Sequence, residues 1–178
     1  MTKRTEALAE RLELGVRQLA DLARSLTDEQ WQTSVPHDGR KIGVVVHHVA
    51  TMYPIEIELA QKLAEGQPVE GLTWQKVHQL NAAHAGEYDG VTKGEALALL
   101  MRNSMAAAAA IRALTDEQLD MVAPLSLEAG GPRSAQYMLE GHAVGHAWHH
   151  LNAIKRALGD SADVAALPDA QSARPVAS

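Results

Sequence analysis

Nine of the 178 residues are histidine and none is cysteine, so metal binding or acid–base chemistry here falls to imidazoles and carboxylates. Six histidines crowd two segments: His47 and His48 in one, and His142, His146, His149 and His150 in the other. On a helix, residues four apart project one above the other, so His146 and His150 stand side by side. That spacing lets two imidazoles reach one divalent ion. His142 continues the same stripe one turn earlier. Met138, His142, Gly145, His146, Ala153 and Ala157 share one side of this segment. In the other, Val45, His48, Met52, Ile55 and Leu59 form an apolar face, which turns His48 inward. His47 is rotated by about a hundred degrees and sits nearer the edge.

A lone inward histidine is ordinarily a hydrogen-bonded core residue. Three converging in an apolar interior leave several nitrogens wanting partners, at roughly 1–3 kcal/mol each if unsatisfied. His48, His146 and His150 are therefore expected to hold a divalent transition metal. Zinc, nickel and iron all accept imidazole. Three protein ligands leave positions open, as a catalytic site requires, and a closed structural site does not. His142 has three readings: a ligand in place of His150, a partner behind a ligand, or a proton-transfer group acting as the catalytic residue. His47 and His149 read as edge residues or as partners behind a ligand, and His37, His78 and His84 as surface residues in or near loops. Trp148 lies about two hundred degrees round the helix from His146. It is expected to pack on another helix or on a dimer partner. No Gly-rich phosphate loop, Gly-x-Ser-x-Gly elbow or repeated Glu-x-x-His pair competes with this apparatus.

Four long helices must position these groups. Leu8, Leu12, Val16, Leu19, Ala23 and Leu26 recur at helical spacing over residues 3–25. Residues 41–65 form the second helix, with Pro54 predicting a kink. Residues 74–85 suit a short helix, residues 93–114 a third long one with an alanine run at its centre, and residues 134–158 the fourth. A long connection rich in Pro and Gly spans residues 115–133. Arg24-Ser25-Leu26-Thr27-Asp28-Glu29-Gln30 is echoed by Arg112-Ala113-Leu114-Thr115-Asp116-Glu117-Gln118, with Pro36 and Pro124 in register. Each copy carries a capping box, Thr then Gln three residues on. The echo predicts two helix pairs related by pseudo-symmetry.

Composition agrees with an all-α chain. Aromatic residues are 3% with no Phe, so the core is built from Leu, Val, Ile, Met and Ala. The net charge of −6 and pI near 5.8 argue against a nucleic-acid binder and against an anionic membrane surface. The absence of Cys excludes a thiol nucleophile borne by the chain. No targeting segment is apparent, and the longest apolar run, residues 105–111, is too short to cross a bilayer, so a cytoplasmic location is expected. One helical domain over residues 1–159 and a flexible tail over residues 160–178 are expected.

Leu26-Thr27-Asp28-Glu29-Gln30-Trp31 after a first helix, His48-Val49-Ala50 on the second and His146-x-x-His149-His150 on the fourth resemble the DinB/YfiT-like superfamily. The resemblance extends over residues 6–158. It implies a four-helix bundle with a long crossover connection, commonly a homodimer. It also implies a divalent metal on one histidine of the second helix and a His-x-x-x-His pair of the fourth, here His48, His146 and His150. Members of known activity include isomerases and transferases that use a low-molecular-weight thiol as cosubstrate. The resemblance implies a small-molecule substrate and either that thiol or water as nucleophile. A metal-dependent hydrolase without thiol and a non-enzymatic metal- or small-molecule-binding stress protein are the alternatives. Two features depart from the family pattern: His150 is followed by Leu151-Asn152-Ala153 where Arg-Gly-Gln is frequent, and His142 is additional.

Overall fold

A computed structural model describes residues 2–128 and 131–160. In chain order it contains α1 (Lys3–Ser25), α2 (Asp28–Trp31), α3 (Ile42–Ala64), α4 (Trp74–Glu87), α5 (Lys93–Ala113) and α6 (Asp116–Asp120). There follow β1 (Val122–Pro124), a 3-10 turn (Ser126–Glu128), β2 (Pro132–Ser134), α7 (Ala135–Met138), a π-helical turn (Leu139–Val144) and α8 (Gly145–Ala157). The last three segments run on as one continuous helix. With α1, α3 and α5 it makes a four-helix bundle. α5 packs against both α1 and α3, and the composite fourth helix closes the ring by touching those same two helices. The seam is aliphatic: Leu12, Leu19, Leu100, Ile111, Leu139 and Leu151 are fully buried. Among the described residues no helix is long and apolar enough to cross a membrane.

Two long connections set the topology. The first, between α3 and α5, carries α4 across the outside of α3. The second runs from α5 to α7. Beyond the expected capped turn, which is α6, it holds a two-stranded antiparallel hairpin that the Pro- and Gly-rich sequence did not announce. The repeated Thr-Asp-Glu-Gln phrase explains part of this order. Thr27 and Gln30 cap α2 reciprocally, and Thr115 and Gln118 cap α6 in the same way. Each short helix drops one large residue into the core, Trp31 in one copy and Leu119 in the other. A β-bridge then precedes each histidine-bearing helix, Ser34–Lys41 before α3 and the β1–β2 pair before α7. The sequence echo is thus a structural repeat. The tail expected over residues 160–178 lies, from residue 161 on, outside the described residues.

α3 runs through Pro54 without a break. Proline removes the amide that would bond the carbonyl of Ala50. Asn103 of α5 supplies the missing donor, its Nδ2 lying 2.9 Å from that oxygen. The Trp31 indole lies flat on Gly43, leaving no room for a Cβ there, and donates from Nε1 to the Val91 carbonyl at 3.0 Å. These contacts fix the start of α3, one turn before His48.

Two helix faces differ from expectation. On α3 the inward residues beyond His48 are Tyr53, Glu56, Ile57 and Ala60, while Ile55 is 43% exposed. The stripe Met52–Ile55–Leu59 faces a cavity under α4 instead of the bundle core. Trp148 points away from the histidines, as expected, but it is used up inside the chain. Its ring packs on Gly15 of α1, and Nε1 donates to the Arg11 carbonyl at 3.4 Å. It is 4% exposed, so no face of it remains for a dimer partner.

Candidate metal centre

His48 sits midway along α3 where the helix is covered on every side; Val44, Val45, Val46, Val49 and Ala50 are all buried. Across from it α8 is regular, so His146 and His150 stack one turn apart, their ring centroids separated by 4.9 Å. The His48 ring meets both nearly edge-on, at 5.0 Å from His146 and 5.5 Å from His150. One nitrogen from each of the three lies within 4.8 Å of the others, a group that can hold a metal ion. No other such group occurs among the described residues.

His142 is not part of it. It lies in the π-helical turn, whose wider winding carries it off the stripe that a plain α-helix would continue. It lines the two cavities beside the triad instead. It is His150, not His142, that shares the three-nitrogen cluster with His48 and His146.

Glu56 is the residue that sequence reasoning missed. It is buried, and its Oε1 lies 2.7 Å from His146 Nδ1. A carboxylate oxygen only accepts, so Nδ1 carries the proton and Nε2 presents its lone pair to the cluster. Pairing a ligand imidazole with a carboxylate fixes the ring and raises its basicity. The signal was present in the spacing: Glu56 follows His48 by eight residues, two turns along the same side of α3. The apolar stripe through Ile55 drew the reading one residue off. Two atoms in this interior, His150 Nδ1 and Glu56 Oε2, are sealed from solvent without a protein hydrogen bond.

Electrostatics keep His48 and His150 neutral. Burial, then the neighbouring His146, pushes His48 down to about 2. Burial and the same neighbour hold His150 well below the usual histidine range. Neutral imidazole is the form that ligates metal. The same shifts make folding pH-dependent. In the unfolded chain these groups protonate near the ordinary value of 6.5, whereas folded His48 resists down to about 2. The unfolded state therefore binds more protons below pH 6.5, and stability present above that value is lost as pH falls. We expect the melting temperature of EDTA-treated protein to drop steadily between pH 7 and 5, and His48→Gln to flatten the slope. A wild-type melting temperature that holds constant over that interval contradicts this.

His84 and His47 depart from expectation together. His84 is half-buried, not a surface residue, and His47 is 7% exposed, not at an edge. Their rings stack, with His47 Nδ1 2.9 Å from His84 Nε2, and Tyr88 covers His47 at 4.1 Å between centroids. Burial, then His47, lowers His84 to about 4. The cause is the crossing of α4 over α3, which no local pattern announces. His37 and His78 are exposed, and His149 lies at the rim, as expected.

Two cavities adjoin at the triad and share a wall that includes His48, Met52, Glu56 and His142. One, of about 320 Å³ between α3 and α4, is apolar, walled by Met52, Ile55, Leu59, Leu72, Val77 and Leu80. The other, of about 520 Å³, is of mixed character and brings the charged groups Asp38, Arg40 and Glu140 to the triad. α4 covers the apolar cavity without a single buried residue, and its Trp74 and Leu80 are 50% and 64% exposed. So thin a seat marks a segment that opens locally at low cost.

No curated protein matches the chain. Among solved structures the fold is shared with YfiT from Bacillus subtilis, described as a probable metal-dependent hydrolase with an unusual four-helix bundle topology. The superposition has a TM-score of 0.70 with 21% identity and covers 89% of this chain and 90% of that one. Residues 11–154 match the model of the DinB superfamily, and the chain belongs to that superfamily.

Proposed function

We propose that this protein is a metal-dependent enzyme in which His48, His146 and His150 hold one divalent transition metal beside a small-molecule pocket. The observation that carries the reading is the convergence of three buried imidazoles, one of them already oriented by a buried carboxylate. The description of YfiT as a probable metal-dependent hydrolase supports it. The residues fit such an ion: His48 and His150 are kept neutral, His146 presents Nε2, and among the described residues no fourth group joins the cluster. Zinc, nickel and iron suit three imidazoles. When bound, the metal supplies Lewis acidity that activates a small nucleophile and polarises an electrophile.

The chain's own residues then divide the work. Glu56 holds His146 in one tautomer. Met52, Ile55 and Leu59 exclude water from one side and receive an apolar group. His142, at the junction of the two cavities, is placed to take the proton released by the nucleophile. The nucleophile is water or a low-molecular-weight thiol brought in from solution. Two adjoining cavities on one centre, one apolar and one carrying charged groups, favour a reaction with two partners, which is the specific support for the thiol. Elemental mass spectrometry on tag-free protein, joined to an ester-hydrolysis and thiol-transfer screen run with and without added thiol, tests the reading. About one equivalent of transition metal with metal-dependent turnover is expected. Absence of metal after reconstitution with zinc and with nickel overturns it, as does a loaded protein that turns over nothing in either arm.

A further inference from the structure

Arg40 stands on the turn before α3 and lines the cavity of mixed character next to His48, His146 and His150. Asp38, two residues earlier, grips one edge of its guanidinium: Nε and Nη2 donate to the two carboxylate oxygens at 2.5 and 2.7 Å. The pair is largely sheltered, with side chains 13% and 18% exposed. A bidentate grip of this kind fixes the plane of the fork. It leaves the other edge, and Nη1 has no hydrogen-bond partner although it is sealed from solvent. A buried, unpaired donor on a charged group costs free energy, so its retention beside a reaction centre asks for a ligand that pairs it.

The other charged groups of this cavity are already engaged. Glu140 accepts from Arg11 at 3.1 Å, and Glu56 accepts from His146 at 2.7 Å. Asp38 is taken by Arg40 itself. Arg40 is therefore the cavity's residual cationic donor. Its cavity adjoins the apolar one of about 320 Å³ along a shared wall that includes His48 and Met52.

We infer that Arg40 anchors an anionic substrate group, and that the substrate is a small amphipathic carboxylate whose apolar part fills the cavity beneath α4. The inference deepens the proposed function and rests on its reading of the triad as the reaction centre. Arg40 on one side and Met52, Ile55 and Leu59 on the other hold the two ends of one molecule across His48. The reacting bond then lies between the ends. Orientation of this kind is a large part of what a site contributes to rate.

Calorimetric titration with hexanoate and its neutral counterpart hexanamide tests this. Wild type, Arg40→Gln and the double variant Asp38→Asn/Arg40→Gln are compared, each with its metal content measured and each repeated after EDTA treatment. The double variant leaves no orphaned Asp38 carboxylate, so a lost preference in it is not the effect of an unpaired buried charge. Wild type is expected to prefer the acid at least tenfold, before and after EDTA. Both variants are expected to lose that preference in the EDTA-treated state while binding as much metal as wild type. Along butanoate, hexanoate and octanoate, affinity should rise about threefold per methylene. Equal affinity of wild type for acid and amide overturns the proposal, and so does an acid preference that survives in the double variant. A flat chain-length series overturns its apolar half. Wild type that binds no metal overturns the proposed function instead, and the EDTA arm still reads Arg40.

Discussion

Replacing His146 by alanine is expected to remove metal and turnover together. The ring contributes one of three nitrogens and is the one that a carboxylate holds in place. Loss of a partner behind a ligand ordinarily costs about 10–100-fold in metal affinity, so loss of a ligand costs at least about a hundredfold. The helix itself should survive, since alanine is the best helix former and α8 is anchored elsewhere by Trp148, Leu151 and Ile154. Helical circular dichroism close to wild type, with metal stoichiometry near zero, is the expected pair of readings. Exposed His78 serves as the control, and His78→Ala should keep its metal. An His146→Ala protein that retains one equivalent and full activity removes His146 from the site.

The second large effect separates the metal from the fold. Glu56→Gln keeps the size of the side chain but loses the charge that holds the His146 proton at Nδ1. Metal affinity should fall about 10–100-fold, read by competition against a chelator of known strength. Stability of the metal-free protein should move the other way or not at all. Glu56 is a buried carboxylate with one oxygen lacking a partner, and a neutral amide is easier to bury. A purely structural Glu56 predicts the reverse: an unchanged metal affinity and a lowered melting temperature without metal.

Much of this was legible before any coordinates. Helical period placed α1, α3, α5 and α8 within a few residues, because each has one face that must leave water. Four-residue spacing paired His146 with His150, since an α-helix repeats its faces at that interval. The duplicated Thr-Asp-Glu-Gln phrase announced two capped turns, and both are present.

What sequence could not place involves contacts between distant segments or departures from regular winding. His84 is brought to His47 from another helix 37 residues away, and nothing in its own neighbourhood favours that side. His142 is displaced by a π-helical turn, a change of winding that residue types do not signal. Ile55 and Glu56 exchange expected places because α4 adds a second apolar surface outside the bundle, so hydrophobicity no longer means core. Arg40 carries no local signal either; it reaches the triad's cavity only through the fold of the turn before α3. By itself the sequence determined four amphipathic helices, their caps and the imidazole pair on one of them, since these depend on residues within two turns of each other. The inward face of its own helix also nominated His48 as the partner of that pair, and the structure brings the three together. Only the tertiary structure decided which carboxylate stands behind His146 and where the two cavities open, since these depend on how the helices cross.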